Sequence, residues 1–223
     1  MGAQISAETM LDRRLHMVNG QLRAGGVVDK PLLTAFLETP RQRFVAPEYE
    51  SLAYLDRQLP ARGAAKRKLM EPLTLARMLQ AAMVVPGDRA LDVGGGSGYC
   101  AALLDAVGAK VVMLESDFGA AAAARAELKR RANIVVVEGS LDLGAADRGP
   151  FDLIVVEGAF AISPDSLRAL LADPGRLVGV DASGEPSQAV LYEKIGAALS
   201  RRTLFETAAD TLDGFQPGVS FAF

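Results

Sequence analysis

The stretch that decides the fold is Leu91-Asp92-Val93-Gly94-Gly95-Gly96-Ser97-Gly98-Tyr99. An apolar run enters it and a helix-favouring run, Tyr99 to Val107, leaves it. That order predicts a strand, a tight turn and a helix. Glycine is needed where backbone takes positive φ or approaches a ligand with no Cβ in the way. A strand, a glycine turn and a helix N-terminus together make a nucleotide-type cradle. The dinucleotide fingerprint places glycines at relative positions one, three and six. Counted from Gly94, the third position is Gly96 and the sixth is Tyr99, so that fingerprint fails. What stands here is Asp92-x-Gly94-x-Gly96-x-Gly98.

Toward the C-terminus the pattern alternates strand and helix. Strands are expected at Ala90 to Val93, Lys110 to Glu115, Asn133 to Glu138, Phe151 to Glu157 and Arg176 to Val180. Helices are expected at Tyr99 to Val107, Phe118 to Ala132 and from Ser163-Pro164 to Leu171. Ser187 to Lys194 and Arg201 to Thr207 are rich in β-formers and flank a turn with Gly196, which predicts a terminal hairpin. Repeated βα units predict an α/β fold with a doubly wound, mostly parallel sheet. In such a sheet, ligands sit beyond the carboxyl ends of the strands. Asp92 is near the end of the first strand, Glu115 ends the second and Glu138 the third. A carboxylate at the second strand end can accept both ribose hydroxyls of an adenosine. One at the third can accept from the adenine amine. Together these acids point to an adenosine-containing ligand.

Toward the N-terminus the chain reads differently. Ala7 to Ala24 has helical apolar spacing and stops at Gly25-Gly26. Asp29 and Pro31 open a second helix that ends before Pro40. Arg41 to Ala61 is irregular, and Arg62 to Lys68 is a basic loop that reads first as a solvated turn. Pro72 opens a helix running to about Met83. Residues 1–85 are therefore expected to form a helical extension with a substrate-side loop, and 86–223 the core, as one structural unit.

Composition narrows the function. The net charge of −3 offers no global basic field for nucleic acid. The only cysteine, Cys100, suits a reducing compartment and reads as a packing residue. Met1 to Glu8 show no basic run followed by an apolar one, and the alanine-rich stretch near Ala121 is too short for a membrane span. A cytoplasmic protein with no membrane partner is expected. With one histidine, His16, placed on the first helix, His-dependent triads and His-rich metal sites are poor readings, so no metal is expected.

The acid followed by GxGxG resembles the first motif of S-adenosylmethionine (SAM)-dependent methyltransferases. Over nearly its whole length the chain resembles the protein-L-isoaspartate O-methyltransferase family. The resemblance is carried by Gln21-Leu22-Arg23-Ala24-Gly25-Gly26-Val27-Val28-Asp29, Pro40-Arg41-Gln42-Arg43-Phe44-Val45 and Leu52-Ala53-Tyr54-Leu55-Asp56-Arg57-Gln58-Leu59-Pro60. It continues through the glycine turn, Pro150-Phe151-Asp152-Leu153-Ile154-Val155-Val156 and Gly175-Arg176-Leu177-Val178. The family implies a Rossmann-like core, SAM as cofactor and methylation of the free carboxylate of isoaspartyl residues in damaged proteins or peptides. By that resemblance Asp92, Gly94, Gly96, Ser97 and Gly98 shape the cofactor pocket. Glu115 holds the ribose, and Glu138 with Gly139 faces the adenine. The family commonly has Ile-Ser-Gln-Pro at the reacting centre, where this chain has Leu69-Met70-Glu71-Pro72. Lys68, Met70, Glu71 and Pro72 are thus the candidate substrate loop. There Glu71 would set a negative charge near a carboxylate substrate. The replacement keeps two alternatives open: a methyltransferase for another acceptor, or a SAM-binding module without turnover. The chemistry itself needs no general base, because a carboxylate is already ionised at pH 7. Orientation and exclusion of water can supply roughly 7–11 kcal/mol of the barrier in favourable cases.

Overall fold

The computed structural model describes residues 7–217; Met1 to Ser6, where no leader is expected, and the last residues of the predicted core, 218–223, lie outside them. A seven-stranded sheet carries the core, in the order β5-β4-β3-β6-β7-β8-β9. Its strands are β3 (Arg89–Val93), β4 (Lys110–Glu115), β5 (Ile134–Glu138), β6 (Phe151–Phe160), β7 (Leu171–Asp181), β8 (Gln188–Ile195) and β9 (Ala198–Glu206). Strands β5 through β7 in that order are mutually parallel, and β8 and β9 run antiparallel. The chain winds outward from β3 to β5, then crosses back to β6 on the other side of β3. That reversal opens a crevice at the carboxyl ends of β3 and β6, the usual ligand position in such folds.

Strand alternation assigns side chains to two cores. Ala90, Leu153 and Val155 face one cluster, together with Met17, Phe36, Phe44, Tyr99 and Cys100. Leu91, Val93, Ile154 and Val156 face the other, with Leu141, Leu167, Leu212 and Phe215. The first cluster lies under α1 (Ala7–His16), α2 (Lys30–Glu38), α3 (Pro72–Ala81), α4 (Tyr99–Val107) and part of α5 (Phe118–Leu128). The N-terminal extension therefore shares its apolar interior with the core. Short α6 (Asp165–Ala169) covers the other face. Among the described residues no helix is long and apolar enough to cross a membrane.

Several boundaries differ from expectation. The first helix passes into a π-helical turn at Met17–Leu22, with Arg23 N–H donating to Val18 O at 3.0 Å. The wider turn accommodates Gly20 while burying Met17, Val18 and Leu22. Helix α5 stops at Leu128, short of Ala132, because Arg131 reaches back to Asp105 at 2.6 Å. Strand β6 runs past Glu157 to Phe160, because Ala159 and Phe160 find partners in Val180 and Asp181 of β7. Strand β7 starts at Leu171, five residues before Arg176, and so shortens the helix ahead of it. The irregular stretch contains two 3₁₀ turns, Arg41–Arg43 and Pro47–Leu52, and the basic loop is closed by a two-residue ladder between β1 (Leu59–Pro60) and β2 (Lys68–Leu69). Asp29 caps α2 as expected, accepting from Leu32 N–H at 2.9 Å. His16 is exposed on α1.

Candidate functional site

The glycine turn leaves β3 with φ of +74° at Gly94, +57° at Gly96 and +94° at Gly98, so the turn itself demands glycine at these places. Gly94 N–H donates to Leu114 O at 2.9 Å, which pins the turn to the end of β4. At that end Glu115 is fully buried. One of its carboxylate oxygens accepts from Gly96 N–H at 2.8 Å. The other accepts from Ser116 N–H at 2.7 Å and Asp117 N–H at 2.9 Å. A buried carboxylate is stable only with such donors. Sequence spacing alone put Glu115 here, and the structure joins it to the turn.

Two groups of the chain itself cover this cradle. Arg67, on the basic loop, lies against Glu115 with Nε 3.3 Å from Oε2 and Nη2 3.3 Å from Oε1. The loop read as a solvated turn thus sends its middle residue into the site. Leu212, on the segment after β9, is buried where a Cβ at Gly94 would stand 3.0 Å from it and one at Gly158 2.4 Å. The segment is held as an added bridge: Ala159 N–H donates to Asp210 O and Leu212 N–H to Ala159 O, each at 2.9 Å. Beyond these groups opens a cavity of about 390 Å³, whose lining includes Ser116, Asp117, Met70, Glu157 and Gly158 but none of Gly94, Gly96, Gly98 and Glu115.

The other sequence-predicted residues separate. Lys68 and Met70 line the cavity, and Lys68 pairs with Asp210 at 2.9 Å. Pro72 opens α3. Glu71 is the residue before that helix, and its carboxylate accepts from Thr74 Oγ at 3.0 Å, so it serves its own helix start and does not line the cavity. Ser97 is buried with its hydroxyl donating to Phe44 O, tying the turn to the N-terminal extension. Glu138 stands half-exposed at the end of β5, pairs with Arg125 at 3.4 Å and is absent from the cavity wall, as is Gly139.

A buried cation explains why the substrate loop holds its shape. Arg41 has no exposed surface. It donates to Ala53 O at 2.6 Å and Met70 O at 2.8 Å, and its guanidinium lies 5.7 Å from the centre of the Tyr99 ring. Burial lowers its proton affinity below the usual guanidinium value, while Tyr99 and the acids Glu157 and Asp56 act in the other direction.

Sequence reasoning missed Glu157. Asp92 pairs with Val155 across the sheet, so Glu157, two residues on, shares the Asp92 face. Asp92 is 0% and Glu157 3% exposed. Burial pushes the Asp92 carboxyl up to about 7, and burial together with Asp92 holds Glu157 well above the carboxylate range. The signal was available: Glu157 ends an apolar strand run, as Glu115 does.

A family model, protein-L-isoaspartate(D-aspartate) O-methyltransferase, matches residues 13–208 of the 223. The chain belongs to this family. Relatives named protein-L-isoaspartate O-methyltransferase include one from Koribacter versatilis, 38% identical over 193 residues and covering 86% of each chain. Another, from Methanoregula boonei, is 38% identical over 189 residues, covering 83% of this chain and 86% of its own. A solved structure of a protein-L-isoaspartate O-methyltransferase superposes with a TM-score of 0.80 at 26% identity, covering 90% of this chain and 66% of the other. One from Plasmodium falciparum, a putative family member in complex with S-adenosyl-L-homocysteine, shares the fold with a TM-score of 0.72 at 20% identity, covering 94% and 99%. The isoaspartate methyltransferase family match includes the N-terminal extension, and so Arg41, the basic loop and Met70, as well as the sheet.

Proposed function

We propose that the chain transfers the methyl group of SAM to the free carboxylate of isoaspartyl residues in proteins or peptides, in the cytoplasm. The observation that carries this reading is the lock between the glycine turn and Glu115, the 2.8 Å bond from Gly96 N–H, at the point where strand order reverses. The donor set suits an adenosine-bearing cation: a fixed buried carboxylate on Glu115 joined to the glycine turn, which Arg67 and Leu212 separate from the cavity, and unpartnered acid oxygens on Glu157, which lines it. SAM supplies a methyl group already activated on a sulfonium. Glu115 would hold the ribose hydroxyls in the place where Arg67 meets it in the structure. Gly94, Gly96 and Gly98 bring backbone close to the cofactor, and Asp92 shapes the turn from behind. A Cβ on Gly95 would stand 2.5 Å from Asp92 Oδ2.

The acceptor reaches the cavity between the basic loop and Met70. Lys66 and Lys68 provide positive charge there for a carboxylate. The negative charge feared at Glu71 is turned into α3 instead, which supports the isoaspartyl acceptor over another one. No base is required, so the chain's part is to orient the acceptor and exclude water. The test is incubation with methyl-labelled SAM and an isoaspartyl peptide beside its aspartyl isomer. Labelled ester on the isoaspartyl peptide alone is expected. No ester on either, with SAM bound, overturns the reading.

A further inference from the structure

A transfer that needs no base leaves the titration of the buried acids Asp92 and Glu157 unused. They lie on the same face of β3 and β6 under α4. A carboxylate oxygen of each and the Cys100 sulfur lie within 4.8 Å of one another. All four carboxyl oxygens are buried without a well-formed hydrogen bond among the described residues, with Ala101 N–H and the two acids' own carboxyls as their polar neighbours. Glu157 also lines the cavity, whereas Asp92 does not. An unpaired buried charge is costly, so this pair stays neutral unless a positive partner arrives.

The surroundings supply it only in part. On α4, Cys100 is a buried thiol whose proton is held by burial, and Tyr99 is likewise held neutral. Glu115 on β4 adds a like charge, engaged by Arg67 and backbone amides. Arg41 is the nearby buried cation, and its charge acts on Glu157; its Nε has no hydrogen-bond partner, but Nη1 and Nη2 are committed to the Ala53 and Met70 carbonyls. On the cavity lining Lys68 is paired with Asp210 and Arg67 faces Asp213 at 3.8 Å, and Lys66 is a further cation there. A protonated pair needs no cation. An ionised one does.

We infer that Asp92 and Glu157 are a specificity-determining pair that recognises the positive sulfur of the cofactor, releasing one proton to solvent when the sulfonium binds and keeping it when the neutral thioether product binds. This rests on the cofactor assigned above. The charges balance. The doubly protonated pair is neutral, loses one proton, and meets the single positive charge of the sulfonium with a single negative one. The pair then favours substrate over product where the product would otherwise compete for the same adenosine site. Burial holds Asp92 near pH 7, so the exchange falls in the physiological range.

The experiment is calorimetric titration of the full chain with SAM and with S-adenosylhomocysteine at pH 6, in buffers of different ionisation enthalpy. That pH lies below the range in which an α-amino group titrates. Close to one proton released with SAM and none with the product is expected. The affinity ratio of SAM to product should rise about tenfold per pH unit between about pH 5 and 7, then level off. The double variant Asp92→Asn, Glu157→Gln should release no proton and lose at least tenfold of the preference, while still binding the product. If that variant does not fold, the comparison of the two ligands on the natural chain decides alone. Equal proton counts for two bound ligands overturn the pair's role and leave the functional reading standing. A stoichiometric divalent metal retained in the natural chain and lost in the variant also overturns it. Failure of both ligands to bind overturns the functional reading and this inference together.

Discussion

Arg41 shows how much one residue can organise. A charged group with no exposed surface sits among carbonyls of Ala53 and Met70, at the seam between the N-terminal extension and the substrate loop. Arg41→Met keeps the volume and leaves those carbonyls without donors. Hydrogen bonds to charged groups contribute about 1.5–3 kcal/mol each, so a loss of about 3 kcal/mol or more is expected in urea unfolding. Glu71 lies at the other extreme. Its carboxylate touches Thr74 in the first turn of α3 and nothing in the cavity. Glu71→Gln is expected to change stability by less than about 0.5 kcal/mol and to leave SAM affinity within a factor of two in calorimetry. At this scale the sequence was half legible. Glu115 could be placed beside the glycine turn because a strand end is legible in spacing. The direction in which Glu71 turns depends on a neighbour three residues on and on which side of α3 faces the cavity.

At the scale of elements, the strand-turn-helix unit and the segment after β9 behave differently. Gly96 carries φ of +57°, and a Cβ there would meet Ala61 at 3.2 Å and Arg67 at 3.3 Å. Gly96→Ala should cost about 1–3 kcal/mol through backbone strain and reduce SAM affinity at least tenfold, read by unfolding and calorimetry on the same variant. The segment from Asp210 to Phe215 has no regular pattern, yet Leu212 and Phe215 are each 1% exposed. Leu212→Ala is expected to destabilise by about 2–4 kcal/mol, since it empties space against Gly94, Leu141 and Gly158. Helix and strand positions were largely readable from spacing, as at α4 and β4. Their ends were set by partners instead: β6 runs three residues beyond Glu157 because β7 and the segment after β9 continue its ladder.

For the whole molecule, the Asp92–Glu157 pair predicts an unusual pH profile. The folded chain keeps the Asp92 proton up to about pH 7, whereas an unfolded aspartate releases it near 3.8. The folded state therefore binds the extra proton between those limits. The stability it contributes is full below about pH 4 and is lost as pH rises through 7. Glu157, held well above its ordinary range, acts with the same sign. Each proton changes stability by up to about 1.4 kcal/mol per pH unit. Urea midpoints should thus decline from pH 4.5 toward 7.5, and flatten in the double variant Asp92→Asn, Glu157→Gln. A midpoint that rises over this range would contradict the buried pair. The sequence by itself determined the α/β class, the glycine turn, the strand-end Glu115 and the family, because these depend on spacing, propensity and motif within short windows. Only the tertiary structure decided that Arg67 meets Glu115, that Leu212 covers Gly94 and Gly158, and that Glu157 stands beside Asp92. Those contacts join residues dozens of positions apart, and sheet order and register bring them together, which no local preference encodes.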